Sequence, residues 1–266
     1  MSTVISKDGT TIAYETVGQG PAVIFVDGAL NSRSMSLAMP IAKRMAGSFT
    51  GYLYDRRGRG ESGNTLPWSL DREIEDLEAL IDAAGGSAYV LGLSSGALLA
   101  LEATEKLAPG KVKKLALYEA PMILDNSRAP LGEPALQQVK QYIVADRRGD
   151  AMSFFMRAVE VPGFMLMLMK LSPMWKKVSK VAHTLVYDFE IATPYQAGKP
   201  LPANHWSAVT IPTWVGVGSK SHAWMINAQK ALAEMLPNAT LHTLPKQTHI
   251  VKPAAIQPEL ERFLMG

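Results

Sequence analysis

The sequence predicts an α/β fold, with a mostly parallel eight-stranded sheet and helices on both of its faces. Strand-like and helix-like segments alternate along most of the 266 residues, as they do in chains that form parallel sheets. Residues 22–26 form a continuous apolar run, which is typical of a strand buried on both faces. Residues 92–96, Gly-Leu-Ser-Ser-Gly, separate another apolar segment from a run with high helix propensity, so a tight strand-to-helix turn is expected there.

The strands are predicted from short apolar or alternating segments that are bounded by turn residues. Asp8 and Gly9 form a hairpin signal between the first two strands, and Gly51 is an unexpected weak position within the fourth. The predicted strands are residues 3–6, 11–16, 22–26, 49–54, 87–91, 112–118, 212–218 and 240–244.

The helices of the α/β core lie between these strands. The clearest is residues 70–83, where Ile74, Leu77 and Ile81 recur on one face. Another is ended by the turn residues Pro237 and Asn238. The predicted core helices are residues 34–45, 70–83, 97–103, 223–236 and 256–264.

Residues 122–207 interrupt the alternation, because they contain helical stretches and no convincing strand. We therefore divide the chain into a core, residues 1–121 and 208–266, and an inserted helical lid, residues 122–207. Open α/β folds bind ligands outside the carboxyl ends of their strands, and the lid is expected over that edge. Its methionines favour an adaptable apolar pocket wall, although filling the interior of the lid is an equal alternative. The residues expected to contact a substrate are Leu30, Met122, Met165, Met169, Trp175, Tyr187 and Trp206.

Composition narrows the classes of function. Hydrophobic residues make up 47% of the chain and charged residues 19%, which favours a packed core over disorder. The formal charge is only +3, so no nucleic-acid partner is expected, and the basic cluster Arg56, Arg57 and Arg59 is interpreted as a solvated loop. The chain has no cysteine, which excludes a disulfide framework and a thiolate metal site.

The hydropathy pattern gives no indication of a membrane. The first residues lack the basic segment and apolar core of a signal peptide, and no uncharged apolar run approaches the ~18 residues of a membrane span. We therefore expect a cytoplasmic protein with no membrane partner. The sequence leaves the oligomeric state open.

Ser94 is the candidate nucleophile. A strand, a G-x-S-x-G turn and a helix together form the context of a nucleophile elbow, whereas a plain Gly/Ser-rich turn is the alternative. The helix that follows would direct its N-terminal N–H groups and positive dipole end toward the serine. An oxyanion formed beside Ser94 would then meet the N–H of Ser95.

These motifs, taken together, resemble the α/β-hydrolase family over nearly the whole chain. Asp27-Gly28 stands where many of these enzymes carry His-Gly before the oxyanion loop. Residues 54–62, Tyr-Asp-Arg-Arg-Gly-Arg-Gly-Glu-Ser, are similar to the family's loop after the fourth strand. Residues 246–249, Lys-Gln-Thr-His, follow the last strand, where the family keeps its catalytic histidine.

The resemblance implies that His249 is the general base, and that the N–H of Ser95 and one from Gly28 or Ala29 form the oxyanion hole. The acid departs from the common pattern, because residues 218–222, Gly-Ser-Lys-Ser-His, contain no aspartate after the seventh strand. Glu119, at the end of the sixth strand, is the predicted acid. Some branches, including many haloalkane dehalogenases and the zearalenone-type lactonases, look similar in taking their acid from that strand end. Asp125 and Asp188 are more distant alternatives.

The sequence therefore predicts a serine hydrolase of the esterase or lactonase type, acting on an apolar small molecule without metal or organic cofactor. Carbon–carbon bond hydrolysis, perhydrolysis and acyl transfer use the same constellation and stay open. A non-catalytic receptor of the same fold is the alternative from another class, since the usual aspartate is missing. Gly51 within a strand leaves an engineered or drifted scaffold as a third alternative.

Overall fold

The computed structural model describes residues 2–266, and the predicted eight-stranded, mostly parallel sheet is confirmed. The strand order is β1-β2-β4-β3-β5-β6-β7-β8; β1 and β2 pair antiparallel, β2 pairs antiparallel with β4, and the other pairs are parallel. The strands are Ser2–Ile5 (β1), Thr11–Gly18 (β2), Ala22–Val26 (β3), Thr50–Tyr54 (β4), Ala88–Leu93 (β5), Val112–Tyr118 (β6), Thr213–Gly218 (β7) and Ala239–Leu244 (β8).

Helices cover both faces of the sheet, and each face has its own apolar core. The α-helices of the described chain are Met39–Met45 (α1), Leu70–Ala83 (α2), Ser95–Lys106 (α3), Gly132–Val144 (α4), Arg148–Ala158 (α5), Gly163–Leu171 (α6), Pro173–Ser179 (α7), Leu185–Ala192 (α8), Ala223–Met235 (α9) and Pro253–Met265 (α10). Side chains of α2, α3 and α9 pack on one face, and those of α1 and α10 pack on the other.

Two prolines set helix starts that differ from the sequence-based expectation. Residues 34–45, predicted as one helix, form a 3-10 turn at Arg33–Met35 and then α1. Pro40 lies in the first turn of α1, and Pro253 is the first residue of α10, three residues before the predicted start. Proline is tolerated there because the first N–H groups of a helix have no intrahelical acceptor.

Close packing explains why a glycine, Gly51, occurs within β4. A Cβ atom at this position would lie 3.0 Å from the Cβ of Ala42 in α1 and 3.0 Å from the ring of Phe25 in β3. The close approach of α1 to the sheet therefore leaves little room for a side chain at this position. The observation that suggested an engineered scaffold is explained by this contact.

The segment between β6 and β7 contains helices α4 to α8 and no strand among its residues, all of which lie in the described range 2–266. It has its own apolar cluster, built around Leu136, Val139, Met152, Leu185 and Phe189. We call residues 122–207 the inserted segment. Among residues 2–266, no helix combines the length and hydropathy needed to cross a bilayer.

Candidate active site

Ser94 stands at the sharp turn between β5 and α3. Its backbone angles, φ 55° and ψ −128°, lie in a region that residues with a side chain rarely occupy. The backbone at Gly96 packs closely against the end of β3. A Cβ atom on Gly96 would lie only 2.1 Å from the carbonyl oxygen of Val26, so the turn needs glycine at this position. The Ser94 N–H donates to the carbonyl of Tyr118 at 2.9 Å, which ties the turn to β6.

The ring of His249 lies between a hydroxyl and a carboxylate. Its Nε2 is 3.1 Å from the Oγ of Ser94, and its Nδ1 is 2.8 Å from Oε2 of Glu119. The three residues come from the turn after β5, the end of β6 and the loop after β8. The imidazole is 39% exposed, whereas the Glu119 carboxylate is fully buried. A hydroxyl that is hydrogen-bonded to an oriented imidazole can lose its proton to that ring and act as a nucleophile.

Glu119 is held by the residues that replace the usual aspartate region. Its second oxygen, Oε1, accepts a hydrogen bond from the N–H of Gly218 at 2.8 Å and another from the hydroxyl of Ser221. Ser221 therefore does not substitute for an acid; it donates to the one that β6 supplies. The backbone of Glu119 also has a positive φ, 51°, at the point where the chain leaves the sheet.

The other candidate acids and histidines have different partners. Asp125 is half-buried and accepts from the amide of Asn227 at 2.7 Å, and Asp188 belongs to an arginine network described below. The other four histidines contact elsewhere: His183 near Tyr187, His205 against Trp206, His222 beside Glu160, and His242 stacked on Trp214.

The basic cluster after β4 is not a solvated loop, and that prediction is wrong. Arg56, Arg57 and Arg59 are 1%, 0% and 1% exposed. Arg57 pairs with Asp76 of α2, and Arg56 pairs with Glu73 of the same helix at 2.7 Å. Buried guanidinium groups are retained only with such partners, since burying an unpaired charge is costly.

Asp188 of α8 connects this cluster to the elbow. Its carboxylate accepts from Arg56 at 2.8 Å, from Arg59 at 2.7 Å and from the hydroxyl of Ser95 at 2.8 Å. Burial by itself would raise the pKa of Asp188, but Arg59 and Arg56 outweigh that effect and hold the pKa below its usual range. The Asp188 carboxylate thus links the inserted segment, through a hydrogen bond, to Ser95, the residue that follows Ser94.

The same cluster also holds the loop after β3. Arg59 donates to the carbonyl of Gly28 at 2.7 Å, and Arg56 lies 3.4 Å from the carbonyl of Asp27. The Asp27 side chain is buried and accepts from the hydroxyl of Ser36. Burial raises the pKa of Asp27 to about 6, against the opposing effect of the Ser36 hydrogen bond.

Two cavities meet at Ser94. The larger, about 550 Å³, lies between the core and the inserted segment and has mostly apolar walls. The smaller, about 50 Å³, lies on another side of the serine. Ala29, Phe155 and Val159 line both cavities, whereas His249 lines only the larger.

Two of the seven predicted substrate contacts, Leu30 and Met169, line the larger cavity. The other five line neither cavity. Met122 and Trp206 are buried in the core, with the Trp206 indole N–H bonded to Glu102. Met165 is 45% exposed, Trp175 lies in a separate depression, and Tyr187 stacks on Trp68. These five positions give no support to a substrate contact.

Several other residues that line the cavities were missed by sequence reasoning. Phe155, Met156 and Val159 come from the end of α5, and Ile250 follows His249. The Met and aromatic content of the inserted segment indicated such a wall. Which side of each short helix faces the serine depends on how the helices pack, and the sequence pattern does not define that. Within residues 2–266, no three His, Cys, Asp or Glu side chains converge as metal ligands.

Comparison with known proteins gives the family. Residues 23–259 match the model of the "Alpha/beta hydrolase family". The chain is 42% identical to an alpha/beta hydrolase from Sphaerobacter thermophilus DSM 20745, with a TM-score of 0.89 over 99% of this chain and 100% of that one. It shares its fold with the enol-lactonase from Burkholderia xenovorans LB400, at 16% identity and TM-score 0.74 over the whole of both chains. A thermophilic esterase from Thermogutta terrifontis has 20% identity and TM-score 0.69 over 99% of this chain and 97% of that one. The chain therefore belongs to the alpha/beta hydrolase family.

Proposed function

We propose that this hydrolase is a serine esterase or lactonase that acts through Ser94, His249 and Glu119. The observation that carries the proposal is the position of the His249 ring, 3.1 Å from the serine hydroxyl and 2.8 Å from the buried carboxylate. The esterase and enol-lactonase folds among its structural neighbours agree with this reaction class. The narrower resemblance to zearalenone-type lactonases stays a prediction.

The reaction divides into acylation and deacylation. Ser94 Oγ attacks the carbonyl carbon while His249 Nε2 takes its proton, and Glu119 stabilises the resulting imidazolium through Nδ1. The tetrahedral intermediate collapses as the carbon–oxygen bond of the alcohol breaks and His249 returns the proton to that oxygen. Water then attacks the acyl-enzyme with His249 as base, which releases the acid and restores Ser94.

The geometry of the β3 loop favours Ala29 over Gly28 as the second oxyanion donor. In a trans peptide, the carbonyl and the next N–H point in opposite directions. Arg59 holds the Gly28 carbonyl at 2.7 Å, so the Ala29 N–H is turned to the other side of the loop. Ala29 lines both cavities beside Ser94. The other donor is the N–H of Ser95, the first residue of α3, which has no acceptor within the helix.

The substrate we infer is an apolar small molecule. The cavity of about 550 Å³ falls in the ordinary range for small-molecule sites and is lined by side chains such as Leu30, Met35, Met156 and Met169. The receptor alternative was based on a missing acid. Glu119 at the histidine ring removes the observation that favoured it.

Replacing the nucleophile tests the proposal. In a Ser94→Ala variant, kcat on an activated aryl ester should fall by about 10⁴-fold or more, because the three residues act as one unit. The matched control is Ser219→Ala, an exposed serine whose hydroxyl accepts from the Lys246 N–H. A Ser94→Ala variant with the full rate would remove the proposal.

A further inference from the structure

The two cavities at Ser94 are very unequal, and the asymmetry carries an inference about the substrate that rests on the proposed function. The larger cavity is about 550 Å³ and the smaller about 50 Å³. The smaller cavity therefore has about one eleventh of the volume of the larger one. The walls of the smaller cavity include Ser95, Pro121, Leu131 and Phe189, together with the residues shared between the two. The polar residues Arg128, Asp188 and Gln196 also line it.

The position of His249 decides which part of an ester each cavity holds. His249 must deliver its proton to the oxygen of the departing alcohol, so that oxygen lies within hydrogen-bond reach of Nε2. The ring lines only the larger cavity. The alcohol part therefore extends into the larger cavity.

The acyl chain has one direction left. In the tetrahedral intermediate, the former carbonyl carbon carries Ser94 Oγ, an oxyanion, the alcohol oxygen and the acyl chain. The oxyanion faces the N–H groups of Ala29 and Ser95, and the alcohol oxygen faces His249. The remaining space beside Ser94 is the smaller cavity, where Ala29 and Ser95 are also part of the wall.

We propose that the enzyme is selective for esters that join a short acyl group to a bulky apolar alcohol. A longer acyl chain would have to displace Leu131 or Phe189, which are packed in the apolar cluster of the inserted segment. A large alcohol gains by burying its surface against the apolar wall of the larger cavity. The same asymmetry disfavours a lactone with a long chain on its acyl side.

The reaction balances with the ester and water as its only reactants. The bond from the acyl carbon to the alcohol oxygen breaks, and the alcohol leaves with the proton that came from Ser94. The bond from the acyl carbon to Ser94 Oγ is then broken by water, whose hydroxyl stays on the short acid and whose proton returns to Ser94 through His249. The products are one short carboxylic acid and one bulky alcohol.

Two substrate series on the wild-type enzyme test the proposal. In the first, the alcohol is 1-naphthol and the acyl group is acetyl, butyryl, hexanoyl or octanoyl. In the second, every substrate is an acetate ester, and the alcohol is ethanol, benzyl alcohol or 1-naphthylmethanol. We expect kcat/KM to fall by about 100-fold from acetyl to hexanoyl, and to rise by about 10-fold or more from ethyl to 1-naphthylmethyl.

Matched variants assign each preference to its cavity. Leu131→Ala enlarges only the smaller cavity, and Leu37→Ala enlarges only the larger one. Leu131→Ala should raise the hexanoyl-to-acetyl ratio of kcat/KM by about 10-fold, and Leu37→Ala should leave that ratio unchanged. The wild-type series tests the proposal without either variant. The proposal can therefore be overturned even if a variant fails to fold.

The outcomes separate this proposal from the proposed function. If wild-type enzyme hydrolyses hexanoyl or octanoyl esters as fast as acetyl esters, the cavity assignment is overturned while the Ser94 chemistry stands. Equal rates for ethyl and 1-naphthylmethyl acetate would overturn it too. If no ester of either series is hydrolysed, and mass spectrometry finds no acyl group on Ser94, the proposed function itself fails.

Discussion

Glu119 is the residue on which the proposed mechanism depends most. A fully buried carboxylate is costly unless its oxygens have hydrogen-bond donors. Both oxygens have them: Gly218 and Ser221 donate to Oε1, and the His249 ring meets Oε2. The residues around the missing aspartate position thus stabilise a carboxylate that comes from a different strand, so the ring still has an acid beside it.

A Glu119→Gln variant should lose about 10³- to 10⁴-fold in kcat, with KM changed only a few-fold. The amide keeps an acceptor for the Gly218 N–H, but it cannot stabilise an imidazolium. Steady-state kinetics on an activated ester measures the loss. Asp125→Asn, at one of the two alternative acids, should behave as wild type. A loss at Asp125 with none at Glu119 would contradict the assignment.

Asp27 makes a pH-dependent contribution to stability. Its folded-state pKa of about 6 lies above the ordinary 3.8, mainly because the side chain is buried. Between these values the folded protein holds a proton that the unfolded chain has released. The group's contribution is therefore fully favourable below about pH 4 and is lost as the pH rises through 6.

An Asp27→Asn variant should be more stable than wild type at pH 7.5, by up to about 3 kcal/mol, and gain little at pH 4. Urea unfolding at the two pH values measures the difference. The control is Asp125→Asn, since hydrogen bonds from Ser127 hold the pKa of Asp125 below its usual range, so removing that charge gives no such gain. An equal gain for Asp27→Asn at both pH values would contradict this account.

At the level of elements, the loop after β4 joins three parts of the fold. Its arginines pair with α2 through Glu73 and with α8 through Asp188, and they hold the carbonyl of Gly28 in the loop after β3. Since Asp188 also accepts from Ser95, the inserted segment, the oxyanion loop and the elbow share one buried network. In the proposed mechanism, this network orients the oxyanion donors before substrate arrives.

Asp188→Asn should destabilise the protein by about 3–5 kcal/mol, because Arg59 is left buried without its anion. The folded fraction should also have a lower kcat, since the Gly28 carbonyl and Ser95 lose their common anchor. Asp150→Asn, which breaks an exposed pair with Arg147, should cost no more than about 0.5 kcal/mol. Similar unfolding free energies for the two variants would contradict the role of the network.

Over the whole molecule, features encoded by neighbouring residues were predictable and those that depend on distant packing were not. The elbow is a contiguous strand, turn and helix, so residues 92–96 predicted it directly. Glu119 could be named because adjacent parallel strands end at the same edge of the sheet. The arginine cluster was misinterpreted because a partner of Arg56, Asp188, lies 132 residues away.

The inserted segment marks the limit of sequence reasoning in this chain. Its position after β6 and its helical character were predictable from the break in strand alternation. Its short helices carry apolar residues on several sides, so the sequence could not indicate that Phe155 and Val159 line the cavities at Ser94 while Met165 lines neither. That choice depends on how the helices pack on one another.

The most direct test of the central claim is the rate at which an organophosphonate modifies Ser94. Intact-protein and peptide mass spectrometry should show one phosphonyl group, on Ser94, in the wild-type enzyme. The labelling rate should fall by about 10³-fold or more in His249→Ala and in Glu119→Gln, and stay unchanged in Asp125→Asn. Labelling at another residue would contradict the account, and so would a labelling rate at Ser94 that is the same in wild type, His249→Ala and Glu119→Gln.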